Sequence, residues 1–398
     1  MLSPLYMAEI SPPEVRGSLM ALEQLAIVIG AVLGFWTGFF TRNYPGSSSW
    51  RIPLAIQLLP GLLLGFGCMA LPPSPRLLIQ QGRTEEALRS LAKLRLRSRA
   101  EIDSDPLLQI ELLEMQVEAA LIEQTSTADS SGQNAKLGTL RTEWHSWKRL
   151  LSPKLRKRTL IGVTMMFFQQ WSGINALLYY GPTLMHSLGL QGDAATLMSA
   201  GGVGIVQFLA VLPAIAFIDR LGRRPLLRGG SLLMASSHLL ISVLVWQYGG
   251  DWSAHAIAAR VSLLCVYLFT AAYGVSYGPI GWILPSEVFP LSARSKGVAL
   301  STASNWLNNF LIGLLTPLLI ERSASATFFV FAAACSLGYV WATREVPETA
   351  NVSLEEIDAV FGSSAGQEDL ALKHQVPVPS FRHRAGQQGS LRDALVWG

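Results

Sequence analysis

The chain reads as an all-α polytopic membrane protein, and three observations predict it. Half of its 398 residues are hydrophobic and only 15% are charged, with a mean hydropathy of +0.34. The charges are also segregated. Eight stretches, about 17–40, 52–71, 159–188, 194–218, 229–248, 261–286, 297–320 and 326–343, hold almost no Asp, Glu, Lys or Arg. Each is long enough to cross roughly 30 Å of hydrocarbon as a helix. Third, if the chain begins in the cytoplasm, every one of the 31 Lys and Arg lies on the inner side except Arg42, Arg51, Arg260 and Arg322. Such a bias predicts both termini inside. The net charge of +4 follows from that bias and implies no nucleic-acid partner.

The elements follow in order. Spans 17–40 and 52–71 close a first unit, 1–71, and the only charge well inside any span is Glu23, one turn in, where it can reach the interface and is not expected to couple a proton. A polar segment, 72–157, opens with Pro72-Pro73-Ser74-Pro75-Arg76. Residues 84–99 predict a basic amphipathic helix with Leu88, Leu91 and Leu94/Leu96 on one side, and 107–124 an acidic one. A Ser/Gly/Asn-rich stretch near 125–138 follows, and six spans then make up 158–345. The tail, 346–398, is Gly/Gln/His-rich and is expected to be disordered after Phe361. Cys68, Cys265 and Cys335 lie in apolar spans, where packed thiols are expected rather than disulfides or a metal site. Trp36, Trp50, Trp246 and Trp341 lie near span ends, as interfacial anchors do.

An internal repeat constrains the architecture. Glu9-Ile-Ser-Pro-Pro-Glu-Val-Arg16 returns loosely as Glu287-Val-Phe-Pro-Leu-Ser-Ala-Arg294, each copy just before a long apolar run. Six spans separate the copies and two follow the second, so the repeat unit is six helices. By symmetry four spans are expected upstream of the first copy, making twelve in a 6 + 6 transporter arrangement.

Polar groups inside spanning helices are costly unless they face a cavity or a partner helix. The third span carries Gln169, Gln170 and Asn175 around Gly173, followed by Tyr179 and Tyr180. Gln24, Gln207 and Asn305 sit in other spans, and Gly278 and Pro279 break the sixth beside Trp282. Amides both donate to and accept from hydroxyls, while indole and phenol rings cover an apolar C–H face. Uncharged amides with aromatics therefore suit a neutral polyhydroxylated ligand. A charged substrate would call for an intramembrane Arg or Lys. Taken singly, Asn308 or Gln57 reads as a helix staple, and His186 and His238 as structural. Asp219-Arg220-Leu221-Gly222-Arg223-Arg224-Pro225 predicts a tight turn between helices. Glu9, Arg16, Arg76, Asp219, Arg223, Arg224, Glu287, Arg294 and Glu348 all fall at cytoplasmic helix ends, where opposite charges could hold one conformation closed.

Together the strings PLYMAEISPPEVRG, PSPR, QQWSGINALLYYGP, DRLGRRP, GPIGWILPSEVFPLSARSKG, SNWLNNF and VPET resemble the sugar porter family of the major facilitator superfamily, and most of all its fungal members. The resemblance covers the chain up to about residue 361. It implies twelve helices in two bundles with an intracellular helical domain between them. It also implies that Gln169, Gln170 and Asn175 are hexose-hydroxyl ligands and that Gln24, Gln207, Trp282 and Asn305 line the same cavity. Tyr179 and Tyr180 would form an outer gate, and the nine charged residues a cytoplasmic salt-bridge network. Pro73 stands where the family pattern has Glu, Ala350-Asn351 where it has Lys-Gly, and Met166-Phe167-Phe168 where some members have Gln-Leu-Ser. The expected function is transport of a monosaccharide or polyol by a plasma-membrane monomer. No cofactor is implied, and uniport or proton symport both remain open. A non-transporting sugar sensor and an inactive fragment are the alternatives.

Overall fold

The computed structural model of the protein describes residues 6, 16–97, 105–128, 143–144, 146–190, 192–193, 197–350 and 361. Glu9 and the tail beyond residue 361 lie outside the described residues, as does most of the Ser/Gly/Asn-rich stretch. The described residues form helices and no strand.

Helix α1 (Arg16–Thr41) is followed by α2 (Ser48–Ile56) and α3 (Leu58–Ala70), which bury no residue. Leu58, Leu62, Leu63, Leu64, Phe66 and Met69 are all exposed. Such a surface is compatible with lipid. Pro53 lies inside α2 and has no N–H, so the Ser49 carbonyl loses its helical partner. The Thr41 hydroxyl, 2.9 Å from Thr37 O in its own helix, also lies 3.1 Å from Ser49 O. Gln57 lies at the α2–α3 kink, exposed and without a side-chain partner among the described residues, so it staples nothing there.

The linker helices α4 (Pro75–Gln80), α5 (Thr84–Leu94) and α6 (Pro106–Ala128) follow. Leu78, Ile79, Ala87, Leu91, Leu108, Leu112 and Met115 give them a core of their own. Arg95–Glu111 (2.5 Å) and Arg97–Asp105 (2.8 Å) tie α5 to the start of α6. The amphipathic helix expected over 84–99 stops at Leu94. There Arg97 N bonds Ala92 O (2.9 Å) and Leu96 N bonds Lys93 O (3.2 Å), a paired C-terminal cap that holds Leu96 at φ 54. Leu96 therefore points outward, 93% exposed, instead of joining Leu91 on the packed side.

The rest is a six-span bundle. Its helices are α7 (Arg156–Trp171) and α8 (Ile174–Ser187), a π turn (Leu197–Gly202) leading into α9 (Val203–Leu221), α10 (Arg223–Tyr248), α11 (Ala256–Val275), α12 (Tyr277–Val288), α13 (Leu291–Arg322) and α14 (Ala324–Arg344). Helix α10 packs on α14 and α11, α13 on α7, and α1 on α9 and α12. The main core runs through this bundle, from Met165 and Leu184 to Phe269, Ile280 and Leu284.

Among the described residues, six helical segments are long and apolar enough to cross a membrane: Ala21–Thr41, Ser48–Ala70, Val203–Leu221, Arg223–Tyr248, Ala256–Val288 and Ala324–Arg344. Two of the eight expected spans differ in kind. One is split into α7 (16 residues) and α8 (14 residues), neither of which spans alone at 1.5 Å per residue. The other, α13, is 32 residues long, but Asn305, Asn308 and Asn309 lower its apolarity.

Candidate functional site

The break between α7 and α8 organises the site. Gly173 takes φ +93, the left-handed conformation that ends a helix and that other residues adopt at a cost. It also lies against the Phe331 ring, which a Cβ would approach to 2.9 Å. The break lets Asn175, on the first turn of α8, face back toward α7.

A chain of amides then crosses the bundle. Asn175 Nδ2 donates to Gln170 Oε1, and Gln170 Nε2 donates to Asn305 Oδ1 at 3.0 Å. Asn305 Nδ2 donates to Gln169 Oε1 at 2.6 Å, and Gln169 Nε2 donates to the carbonyls of Tyr277 (2.9 Å) and Gly278 (3.3 Å). Gln169, Gln170 and Asn305 are 2%, 4% and 4% exposed, whereas Asn175 is half-buried. Gly281 leaves room for the Gln169 amide, because a Cβ there would lie 2.1 Å from Gln169 Nε2 and displace it.

The amides differ in spare capacity. An amide has two N–H groups and an oxygen with two lone pairs. Among the described residues, Gln169 uses both N–H groups and one lone pair, Gln170 uses one of each, and Asn175 uses one N–H only. Unused donors and acceptors therefore collect at the Gln170–Asn175 end, beside the break.

The other expected ligand residues surround this chain unevenly. Gln24 reaches from α1 to the Gly278 backbone, its Nε2 3.4 Å from where a Cβ would sit. Gln207 on α9 lies against Gly274 of α11. Both are 5% exposed, and neither side chain takes a hydrogen bond among the described residues. Trp282 is half-buried on α12, one turn beyond Gly278. Asn308 accepts from Trp171 Nε1 at 3.0 Å and donates to Ser304 O, which makes it a staple between α7 and α13.

Tyr179 and Tyr180 hook the middle of α8 onto α13. Tyr179 donates to Asn309 Oδ1 at 3.1 Å, and Tyr180 to Gly313 O at 2.8 Å. Gly313 O is the carbonyl that Pro317, four residues on, leaves without its helical N–H. Tyr180 thus satisfies a carbonyl freed by proline and lies at a kink of α8 (φ −118, ψ 22) near Pro182.

At the other end of the bundle the charges converge. Arg223, its side chain 4% exposed, forks onto Glu287 (2.7 and 3.2 Å) and also reaches Asp219 at 2.9 Å. Ser18 of α1 donates to Asp219 at 2.9 Å, and Thr349 to Glu287 at 2.6 Å. Glu348 accepts the N–H groups of Arg223 (2.8 Å) and Arg224 (3.0 Å), capping the positive end of α10. Arg224 also donates to Thr343 O. Arg294 is buried and donates to Phe289 O at 3.4 Å, and Arg76 is half-buried on α4. Of Arg16 only the backbone is described, at the start of α1.

Sequence reasoning had missed three members of this end. Ser18 and Thr349 carry no signal beyond a hydroxyl near the motifs. Arg158 resembles one more basic residue in KLRKR, yet it is 2% exposed, donates to Val288 O at 3.0 Å and lies 4.7 Å from the Phe361 ring.

Fold and site together define a polytopic helical membrane protein of the major facilitator type. Among solved structures it resembles the major facilitator proton:xylose symporter XylE bound to 6-bromo-6-deoxy-D-glucose, with a TM-score of 0.70 and 28% identity over 90% of this chain and 70% of that one. An inward-open structure of XylE from E. coli gives a TM-score of 0.61 at 26% identity, covering 90% of this chain and 69% of that one. Residues 1–361 match the family model described as Sugar (and other) transporter, and the chain belongs to that family. It is 32% identical over 401 residues to a probable quinate permease of Aspergillus fumigatus, covering 98% of this chain and 70% of that protein. It is 30% identical over 363 residues to sugar transport protein 4 of Arabidopsis thaliana, covering 90% of this chain and 65% of that one.

Proposed function

We propose that the chain moves a neutral polyhydroxylated small molecule, a monosaccharide or polyol, across a membrane by alternating access. The observation that carries this reading is the unused hydrogen-bonding capacity of Gln170 and Asn175 at the broken helix. Gln169 and Asn305 continue the amide chain from that point, Gln24, Gln207 and Trp282 complete the proposed ligand set, and none of them is charged. Quinate, carried by relatives in name, combines hydroxyls with a carboxylate. Nothing in the amide chain supplies a cation for one, which favours the neutral ligand. Tyr179 and Tyr180 act as the outer gate. The Arg223–Glu287–Asp219 cluster, with Glu348 and Ser18, holds the inner end closed until the bundles rock apart. The positive-inside bias supports cytoplasmic termini, and the plasma membrane is the site of action. Saturable uptake of a radiolabelled sugar or polyol by cells expressing the chain tests this, and no saturable uptake of any of them would sink it.

Proton symport is favoured over uniport by one observation. Glu23 lies inside the span Ala21–Thr41, and its Oε2 is buried without a hydrogen-bond partner among the described residues. A carboxylate there is costly when ionised, so a proton is the natural occupant. Under symport, substrate addition acidifies the lumen of reconstituted vesicles, and Glu23→Gln removes that signal while exchange persists. Equal proton movement in both proteins would exclude Glu23.

A further inference from the structure

His238, on α10, is 3% exposed and far from the charged end of the bundle. Its ring is packed against Phe269 (4.3 Å), Phe331 (5.7 Å) and Phe328 (6.1 Å). Its Nε2 lies 2.9 Å from the carbonyl of Ser172, and its Nδ1 is buried with no partner among the described residues.

Ser172 caps the C-terminus of α7, just before the Gly173 break. In an unbroken helix its carbonyl would accept the N–H of Ala176; here the first backbone bond of α8 is instead Leu177 N to Gly173 O at 3.0 Å. A helix end leaves such carbonyls without partners, and a buried one must find a donor elsewhere. Apart from the Cys335 thiol, 4.0 Å away, His238 is that donor. A carbonyl only accepts, so Nε2 carries the hydrogen.

The position of this carbonyl matters to the ligand. Gln170 lies two residues before Ser172, and Asn175 two residues after Gly173. The break sets the register in which Asn175 reaches Gln170, and the Ser172 hydroxyl adds a second tie, donating to Gln169 O at 2.7 Å. We propose that His238 is a positioning residue of the ligand site: as the Nε2–H tautomer it caps the carbonyl freed at the α7–α8 break and so holds Gln170 and Asn175 in register. This rests on the transport reading for what the register serves, although the cap itself does not.

The test compares wild type, His238→Gln and His238→Phe in the purified full chain. Gln puts an N–H where Nε2 was, whereas Phe fills the space and removes the donor. With a panel of neutral sugars and polyols as probes, Phe is expected to weaken binding about tenfold, equivalent to about 1.4 kcal/mol, and Gln to stay near wild type. A packing role would give the reverse order, with Phe near wild type and Gln impaired, and that order overturns the proposal. Two ligand-free readouts separate it from the transport reading. Selective 15N-histidine spectra are expected to show the Nε2–H form of His238, and the Nδ1–H form overturns the proposal. The Asn175 side-chain amide signal is expected to move in the Phe variant and hold in the Gln variant; no movement in either also overturns it. Wild type that binds none of the probes, with both ligand-free results as expected, refutes the transport reading and leaves the cap supported.

Discussion

Replacing Gln170 by Ala separates ligand binding from scaffold within one pair of neighbouring residues. Gln170 donates one N–H to Asn305 and accepts one bond from Asn175, which leaves one N–H and one lone pair for a bound hydroxyl compound. Two neutral hydrogen bonds contribute about 0.5–1.5 kcal/mol each, about 1–3 kcal/mol together. That corresponds to about 5–150-fold weaker binding. Gln169 is the control. Both of its N–H groups are committed to Tyr277 O and Gly278 O, and its oxygen accepts from Asn305. Gln169→Ala leaves the buried Asn305 Nδ2 without its oxygen acceptor, at about 1–3 kcal/mol of stability, and changes affinity less. The assay is ligand-induced thermal stabilisation of purified protein, with size-exclusion profiles to confirm folding. A normally folded Gln170→Ala that binds like wild type refutes the reasoning. So does a Gln169→Ala that loses as much affinity as Gln170→Ala.

Other outcomes follow from the same geometry. Glu287→Gln leaves the buried Arg223 with Asp219 as its remaining ion-pair partner, and removing one member of a buried pair costs about 3–5 kcal/mol. A cysteine reporter beside Arg223 should then react faster with a water-soluble maleimide, and an unchanged rate counts against the cluster as a closure. Gly173→Ala must adopt φ +93 against Phe331, so folded yield in detergent should collapse; normal yield and melting would show that the break tolerates a side chain. Tyr180→Phe strips Gly313 O of its hydroxyl donor and should lower stability by about 1–3 kcal/mol, read from the melting temperature. If Tyr180 only gated, melting would stay put and exchange rates alone would change.

The spans were legible because apolar runs bounded by charges admit little else in a bilayer. Gln169, Gln170 and Asn175 stood out for the same reason, since three amides within one apolar run are expensive without a purpose. The sequence did not reveal which amide is spent on the scaffold. That depends on the rotation of α13, which turns Asn305 toward Gln169, and on α12, whose carbonyls consume the Gln169 N–H groups. Prolines announce a freed carbonyl four residues earlier, but not that Tyr180 would serve Gly313. His238 read as structural, because nothing in the chain order places it against Ser172, 66 residues away. Leu96 was misplaced because hydrophobic periodicity ran past the cap that ends α5. Arg158 hid in a basic run, where burial leaves no mark on composition.

Counterflow in proteoliposomes tests the central claim most directly. Vesicles carrying the purified chain are loaded with unlabelled sugar or polyol and diluted into tracer amounts of the same labelled compound. The account predicts transient accumulation of label for at least one neutral polyhydroxylated compound, and its loss in Gln170→Ala at matched protein content. No accumulation with any compound of the panel, or accumulation that Gln170→Ala leaves intact, would contradict it.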